Sequence, residues 1–388
     1  MIKGEFRRKL LMLHRILGIA TGLVVFVVSI TGCCWVFRDE IEALYVDYDK
    51  VEPREEAFIT PTEARKLAET VFPDKHVHGV LYGKPDEAVE VIFYEPEPEF
   101  YQSVFLDPYS GERLHVKDHF SGFFAFVLKG HVRLWLPPRI GEQVVSISVL
   151  LFMFVLVSGL ILWWPKRKSN LKQRLSFQWK PGTRWKRKNF DLHSIVGFYV
   201  YSLALVLAFT GSVMAFNWFY YGVYKAVGGE KRAEFFVPDN IALPGEAADS
   251  VMPIDRLLPL LRKDSPDALS YEIHYPATDS ASIYVEVAYS EGLYYDNDYR
   301  FFDRYTLEEI ETTGIYGKYG DAGFADKLIR MNYDIHVGSI GGIVGKIIAF
   351  LASLVIASLP VTGTLLWYGR KYKKRRNSPK WASRTVAP

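Results

Sequence analysis

Residues 14–37 read HRILGIATGLVVFVVSITGCCWVF: a histidine and an arginine, then 22 positions without a charge. A helix rises about 1.5 Å per residue, so about 20 apolar residues cross a hydrocarbon core about 30 Å thick. The run is therefore long enough to span a membrane, and longer than the apolar region of a typical signal peptide. Ile30-Thr31-Gly32-Cys33 loosely fits a lipoprotein cleavage site. Cleavage there would discard His14, whose counterpart in the second half of the chain is retained, so an uncleaved signal anchor is the better reading. Three further stretches, 141–164, 195–219 and 340–368, are similarly apolar and nearly free of charge, which makes four spans.

Lysines and arginines orient these spans, because short basic flanks stay on the cytoplasmic side. Lys3, Arg7, Arg8, Lys9 and Arg15 accompany the first span, and residues 165–188 are densely basic without an acid. Arg370, Lys371, Lys373, Lys374, Arg375 and Arg376 follow the last span. Both termini are thus expected inside a bacterial inner membrane, with the acid-rich connections on the periplasmic side. The formal net charge of +3 conceals this opposition. The expected division is 1–37 (N-terminal segment and first span), 38–139 (first periplasmic domain), 140–165 (second span), 166–190 (basic cytoplasmic loop), 191–219 (third span), 220–335 (second periplasmic domain), 336–369 (fourth span) and 370–388 (basic tail). Only Cys33 and Cys34 are present, so no disulfide framework supports the periplasmic domains, which must fold on hydrophobic cores.

The spans repeat. Residues 193–211, HSIVGFYVYSLALVLAFTG, match 14–32 in the places of His, Gly and Thr-Gly, and His-to-Thr is 17 in each (31 − 14 and 210 − 193). The second and fourth spans share Ser158-Gly159 and Thr362-Gly363, each leading to an aromatic pair and basic residues. Counting back from those glycines reaches His131 and His336, at separations of 28 and 27. The fold class this implies is a membrane all-α four-helix bundle built by tandem duplication, its two halves parallel about an axis along the membrane normal. Each half carries an extracytoplasmic α+β domain. In the first, 60–71 predicts an amphipathic helix, 89–94 and 102–107 strands, and 108–111 a turn; in the second, 253–262 predicts the helix, 270–274 and 282–289 strands, and 299–309 a closing hairpin.

Four of the nine histidines stand at span ends: His14 and His193 inside, His131 and His336 outside. An imidazole beside lipid is costly unless its nitrogens are paired, so such residues usually face the bundle interior. Histidines from two facing helices can supply both axial positions of a b-type haem, and no Cys-x-x-Cys-His motif for covalent attachment occurs. Two haems per chain, one on each layer, would form a wire across the membrane. Gly18, Gly22, Gly197, Gly338, Gly341 and Gly342 would let a flat macrocycle approach the backbone, or equally let helix pack on helix. A lone histidine at a helix end more commonly bonds interfacial carbonyls or headgroups; four at symmetric positions favour the metal.

These residues resemble the PepSY-associated transmembrane family, which includes iron-regulated membrane proteins and bacterial ferric-siderophore reductases. The motifs that carry the likeness, over nearly the whole chain, are His14-Arg15-Ile16-Leu17-Gly18 with Thr31-Gly32, Ser158-Gly159 leading to Trp163-Trp164-Pro165, Asp191-Leu192-His193 with Thr210-Gly211, and His336-Val337-Gly338. Phe105-Leu106-Asp107-Pro108-Tyr109-Ser110-Gly111-Glu112 and Phe302-Asp303-Arg304-Tyr305-Thr306 look like the closing hairpins of PepSY domains, the second departing more from the pattern. The resemblance implies one-electron reduction of a ferric siderophore outside the inner membrane, using haem b, with release of the more weakly held ferrous ion for uptake. Two departures stand out. Arg133, Pro137, Pro138 and Arg139 separate His131 from the apolar span, which places it on a segment outside the helix, and Pro360 interrupts the fourth span and is expected to kink it.

Other features weigh less. His115 and His119 have helical spacing but no third ligand nearby, and nothing in the spacing of His76, His78 and His274 suggests a site. Residues 95–101 and 289–302 are aromatic and acidic enough to cradle a chelate, though such stretches are more often edge strands and loops. The basic loop with Trp179 and Trp185 points to anionic lipid headgroups rather than nucleic acid. No Walker loop, dinucleotide fingerprint or Ser-His-Asp pattern occurs, so the electron donor is expected to be quinol or a separate cytoplasmic reductase. Two other classes remain open: a non-enzymatic PepSY regulatory or binding membrane protein, and a transporter of iron or its siderophore.

Overall fold

The computed structural model describes residues 4–165, 168–242 and 252–371; most of the basic tail lies outside them. The principal helices are α1 (Gly4–Trp35), α2 (Pro61–Glu69), α3 (Gly122–Arg133), α4 (Pro138–Trp163), α5 (Gly197–Ala215), α6 (Leu257–Asp264), α7 (Asn332–Val337) and α8 (Gly342–Lys371). The strands are β1 (Val77–Tyr82), β2 (Val89–Glu95), β3 (Phe100–Leu106), β4 (Arg113–Asp118), β5 (Ser270–His274), β6 (Ile283–Ala288), β7 (Asp298–Phe302) and β8 (Glu309–Ile310). The chain forms two compact units, one made of Met1–Cys34, Lys129–Ala215 and Ile347–Pro388, the other of Trp35–Leu128 and Phe216–Lys346.

The first unit is helical. Four helices long and apolar enough to cross a membrane, Gly4–Trp35, Pro138–Trp163, Trp185–Ala215 and Ser339–Gly369, correspond to the four spans read from the sequence. All four contribute to one apolar core: Val25 from the first, Phe152 and Leu156 from the second, Val200, Ala204 and Ala208 from the third, Ala352 and Ile356 from the fourth. Only 22–28% of the most apolar stretch of each span is buried, and large apolar side chains such as Leu23 and Phe154 point away from the protein. In water that belt would drive aggregation; in lipid it is the natural solvated surface. Buried hydroxyls return their proton to their own helix, Thr21 to Leu17 O, Thr31 to Val27 O, Thr210 to Val206 O and Ser212 to Ala208 O, so these four are satisfied within the span. The fourth span runs through Pro360 as one helix, the expected interruption being absorbed without ending it. Cys33 and Cys34 are free thiols.

The second unit is built on one antiparallel sheet of order β4-β3-β2-β1-β5-β6-β7-β8. The two connections were expected to form two domains; instead their first strands pair, Val80 with Ile273 and Tyr82 with Tyr271, into a continuous sheet. An open strand edge is a template for aggregation, and joining β1 to β5 removes two such edges at once. Helices α2 and α6 cover one face, Ala64, Ala68, Leu257 and Leu261 meeting Val80, Val91, Ile273 and Val285. A capping box starts α2: Thr60 accepts from the Glu63 N–H, and the Glu63 carboxylate accepts from the Thr60 N–H. The halves are tied again where the Thr62 N–H donates to Asp255 Oδ1 at 2.8 Å and the buried Tyr275 hydroxyl donates to Pro61 O. The His115/His119 spacing is not helical: His115 lies on β4, stacked on Tyr48, and His119 just beyond it bonds Ser103 and stacks on Tyr101. At about 3.3 Å per strand residue the two rings are too far apart to share a ligand.

Candidate functional site

In the helical unit the first and third spans bring His14 and His193 together edge-on, ring centroids 6.5 Å apart and planes at 77°. Each ring is seated by a hydroxyl-glycine pair on another helix. The His14 ring edge lies against Gly159, where a Cβ would fall 3.2 Å from Cε1, and its Nδ1 is 3.1 Å from Val155 O and 2.9 Å from Ser158 Oγ. His193 lies on Gly363 with the same 3.2 Å limit, its Nδ1 3.0 Å from Thr362 Oγ1. His131, at the end of α3, repeats the arrangement on α1, against Gly32, with Nδ1 2.9 Å from Val28 O. The turn that presents His131 uses left-handed Leu134 and Trp135, and the Trp135 ring covers Gly130 so closely that a Cβ there would fall 2.3 Å from it.

These contacts settle which nitrogen carries the proton in His14 and His131. Ser158 Oγ is within hydrogen-bond distance of Val155 O, Thr362 Oγ1 of Ser358 O, and Thr31 Oγ1 of Val27 O, so each hydroxyl has a carbonyl of its own helix to donate to. A carbonyl only accepts. His14 and His131, whose Nδ1 atoms face the carbonyls of Val155 and Val28, therefore donate from Nδ1 and keep the Nε2 lone pair, the arrangement a metal-ligating imidazole needs. His193 is further distinguished by its backbone: residues Leu192–Val196 form a π turn, a local widening common at functional sites. Behind it Asp191 accepts from Trp179 Nε1 at 3.1 Å and Arg187 Nε at 2.8 Å, anchoring the basic loop to the third span.

Around His14 and His193 is a cavity of about 230 Å³ lined by Gly18, Gly22, Gly159, Gly197 and Gly363 and by Phe152, Trp163 and Phe198. That is well over ten times the roughly 10–15 Å³ that admits one water. Pro360 also lines it, packed on Gly22. Arg15 and Arg174 reach the same cavity. Burial and the nearby guanidiniums of Arg7 and Arg187 push Arg174 down from its ordinary range, a crowding of cations that an anionic group would relieve. Of the glycines singled out in the sequence, Gly18, Gly22 and Gly197 belong here; Gly338, Gly341 and Gly342 lie in the other unit, where Gly338 ends α7 in the left-handed conformation. His336 is on α7, in that same unit.

The site fits a bis-imidazole metal centre. Two imidazoles bonded at about 2 Å to one metal from opposite sides hold their ring centres roughly 6–6.5 Å apart. The apolar, glycine-relieved walls suit a flat macrocycle, and the two arginines suit its carboxylates.

A second constellation, not found in the sequence, occupies the sheet face opposite α2 and α6. Glu272 and His274 on β5 and Glu286 on β6 place their ligand atoms within 4.8 Å of one another. Burial, with Glu286 and Glu90 as neighbouring anions, pushes the Glu272 carboxyl up to about 8, and burial beside His78 pushes His274 down to about 3. Glu-x-His in a strand puts both side chains on one face, a signal present in the sequence. The register that sets Glu286 opposite Glu272 is visible only in the folded hairpin.

These features define a membrane protein with a four-helix membrane unit, a histidine-walled cavity and an attached antiparallel sheet. The chain belongs to the PepSY-associated TM region family, whose model matches residues 11–370. A comparison with curated proteins finds no match.

Proposed function

We propose that this protein is a haem-b-containing oxidoreductase of the bacterial inner membrane that passes electrons across it to reduce a ferric siderophore in the periplasm, releasing ferrous iron for uptake. The observation that carries the reading is the pair His14 and His193, 6.5 Å apart across an apolar cavity, with the Nδ1 of each engaged by another helix. When bound, haem b supplies a one-electron redox centre. His14 and His193 would hold it, Ser158 and Thr362 fixing ring rotation; Gly159 and Gly363 admit the ring edges, Phe152 and Trp163 exclude water, and Arg15 and Arg174 would take its carboxylates. A second haem, with His131 and His336 as ligands, follows from the sequence repeat.

In this reading both termini and the basic loop lie in the cytoplasm, where the loop meets anionic headgroups and a quinol or a cytoplasmic reductase donates electrons. Tandem duplication is supported by the recurring histidine seats and by the two closing turns of the sheet. Asp107 Oδ1 accepts from the Tyr109 and Ser110 N–H groups, and Asp303 Oδ1 from those of Tyr305 and Thr306. The second PepSY-like hairpin thus keeps the turn geometry of the first despite its divergent sequence.

The test is anaerobic: dithionite-reduced protein, freed of excess reductant, is mixed with a ferric hydroxamate siderophore and a ferrous chelator. Reoxidation of the protein with matching ferrous chelate is expected, slowed at least tenfold in His193→Ala. No reoxidation by any ferric complex would count against the assignment.

A further inference from the structure

Strand alternation sends Val80, Val91, Ile273 and Val285 into the core under α2 and α6 and turns Glu90, Glu272, His274 and Glu286 to the opposite face. Glu272 pairs directly with Glu286 across β5 and β6, and Glu90 lies in the same row beyond Leu81. Like charges opposed on neighbouring strands destabilise a sheet, so three carboxylates in one row are relieved by taking up a proton or by a bound cation. Within the row His274 Nε2 is buried, 3.2 Å from Glu272 Oε1, yet makes no hydrogen bond among the described residues. Two electron-pair donors this close, on one face of the sheet, can share a cation.

The geometry points to a binding site for one divalent first-row cation held by Glu272, His274 and Glu286, separate from the histidine-walled cavity. Donors that each bond a metal at about 2.0–2.2 Å lie roughly 3–4.2 Å from one another, which the 3.2 Å pair and the 4.8 Å spread of the unliganded atoms approach. Two carboxylates neutralise a divalent ion, and the imidazole shifts preference from magnesium and calcium toward manganese, iron and zinc. Support around the ligands is in place. Glu286 accepts from the Tyr284 hydroxyl at 2.9 Å and from Asn297 Nδ2 at 2.6 Å, and the His274 ring stacks on Tyr284 at 4.3 Å. The inference does not depend on haem.

Detergent-purified full-length protein, stripped with EDTA, would be titrated with Mn²⁺ while the EPR signal of free Mn²⁺ is followed. One equivalent taken up per chain is expected, weakened at least tenfold in His274→Ala and in Glu272→Gln, with the absorption spectrum unchanged. Glu272→Gln keeps the shape of the side chain, so it reports even if His274→Ala disturbs the sheet. No stoichiometric uptake, or uptake that Glu272→Gln leaves unchanged, would overturn the site.

Discussion

A glycine next to a hydroxyl recurs wherever the helical unit seats a histidine: Ser158-Gly159 under His14, Thr362-Gly363 under His193 and Thr31-Gly32 under His131. The hydroxyl orients the ring and the missing Cβ makes room for it. Gly363→Val is therefore expected to displace His193 and abolish bound haem in its cavity while the protein still inserts and purifies; an unchanged spectrum would show that the seat is not needed. At the sheet, Asp303 accepts from four backbone groups, Ile241, Ala242, Tyr305 and Thr306. Those bonds hold its carboxyl below the usual range. A lowered folded pKa stabilises fully above the unfolded value of about 3.9 and is lost as pH falls through the lower folded value. Asp303→Ala is expected to cost about 2–3 kcal/mol and Asp303→Asn less, read as a fall in melting temperature at pH 7.

The spans were legible as elements because about 20 uncharged residues have few other uses; the second and fourth appear at nearly the bounds their composition suggests, while the first and third helices start earlier, at Gly4 and Trp185. Strand β5 was equally clear from its alternation. Strand β1 was not: Gly79 and a bulge between Val77 and Gly79 break its period, and a strand paired on both sides and central to the sheet has little polar face to betray it. The pairing of β1 with β5, which joins the two connections in one sheet, leaves no mark in the spacing of either strand. The hydroxyl-glycine pairs were visible as a repeat, but spacing along one helix could not reveal that each serves a histidine from another element. The β1–β5 junction carries a prediction of its own. Val80 is fully buried, and an aspartate there would be an unpaired buried charge. Val80→Asp should raise hydrogen exchange in β6 and β7 together with β2 and β3; a rise confined to residues before β5 would mean that the two segments fold separately.

For the whole molecule, the helical unit supplies a histidine-walled cavity inside an apolar belt, and the sheet presents an acidic, histidine-bearing face made by joining both halves of the chain. Membership of the PepSY-associated TM region family was recognisable from short motifs in a fixed order. The cavity itself was legible only as two equivalent histidines; its walls and arginines come from residues scattered over all four spans and the basic loop. The central claim is that His14 and His193 hold a haem. It is tested most directly by the absorption spectrum of detergent-purified full-length protein from haem-replete cells, oxidised and then dithionite-reduced, with haem counted per chain. Two b-type haems are predicted for the native chain and the loss of one in His193→Ala. A colourless native protein, or a His193→Ala variant with an unaltered spectrum and haem count, would contradict the account.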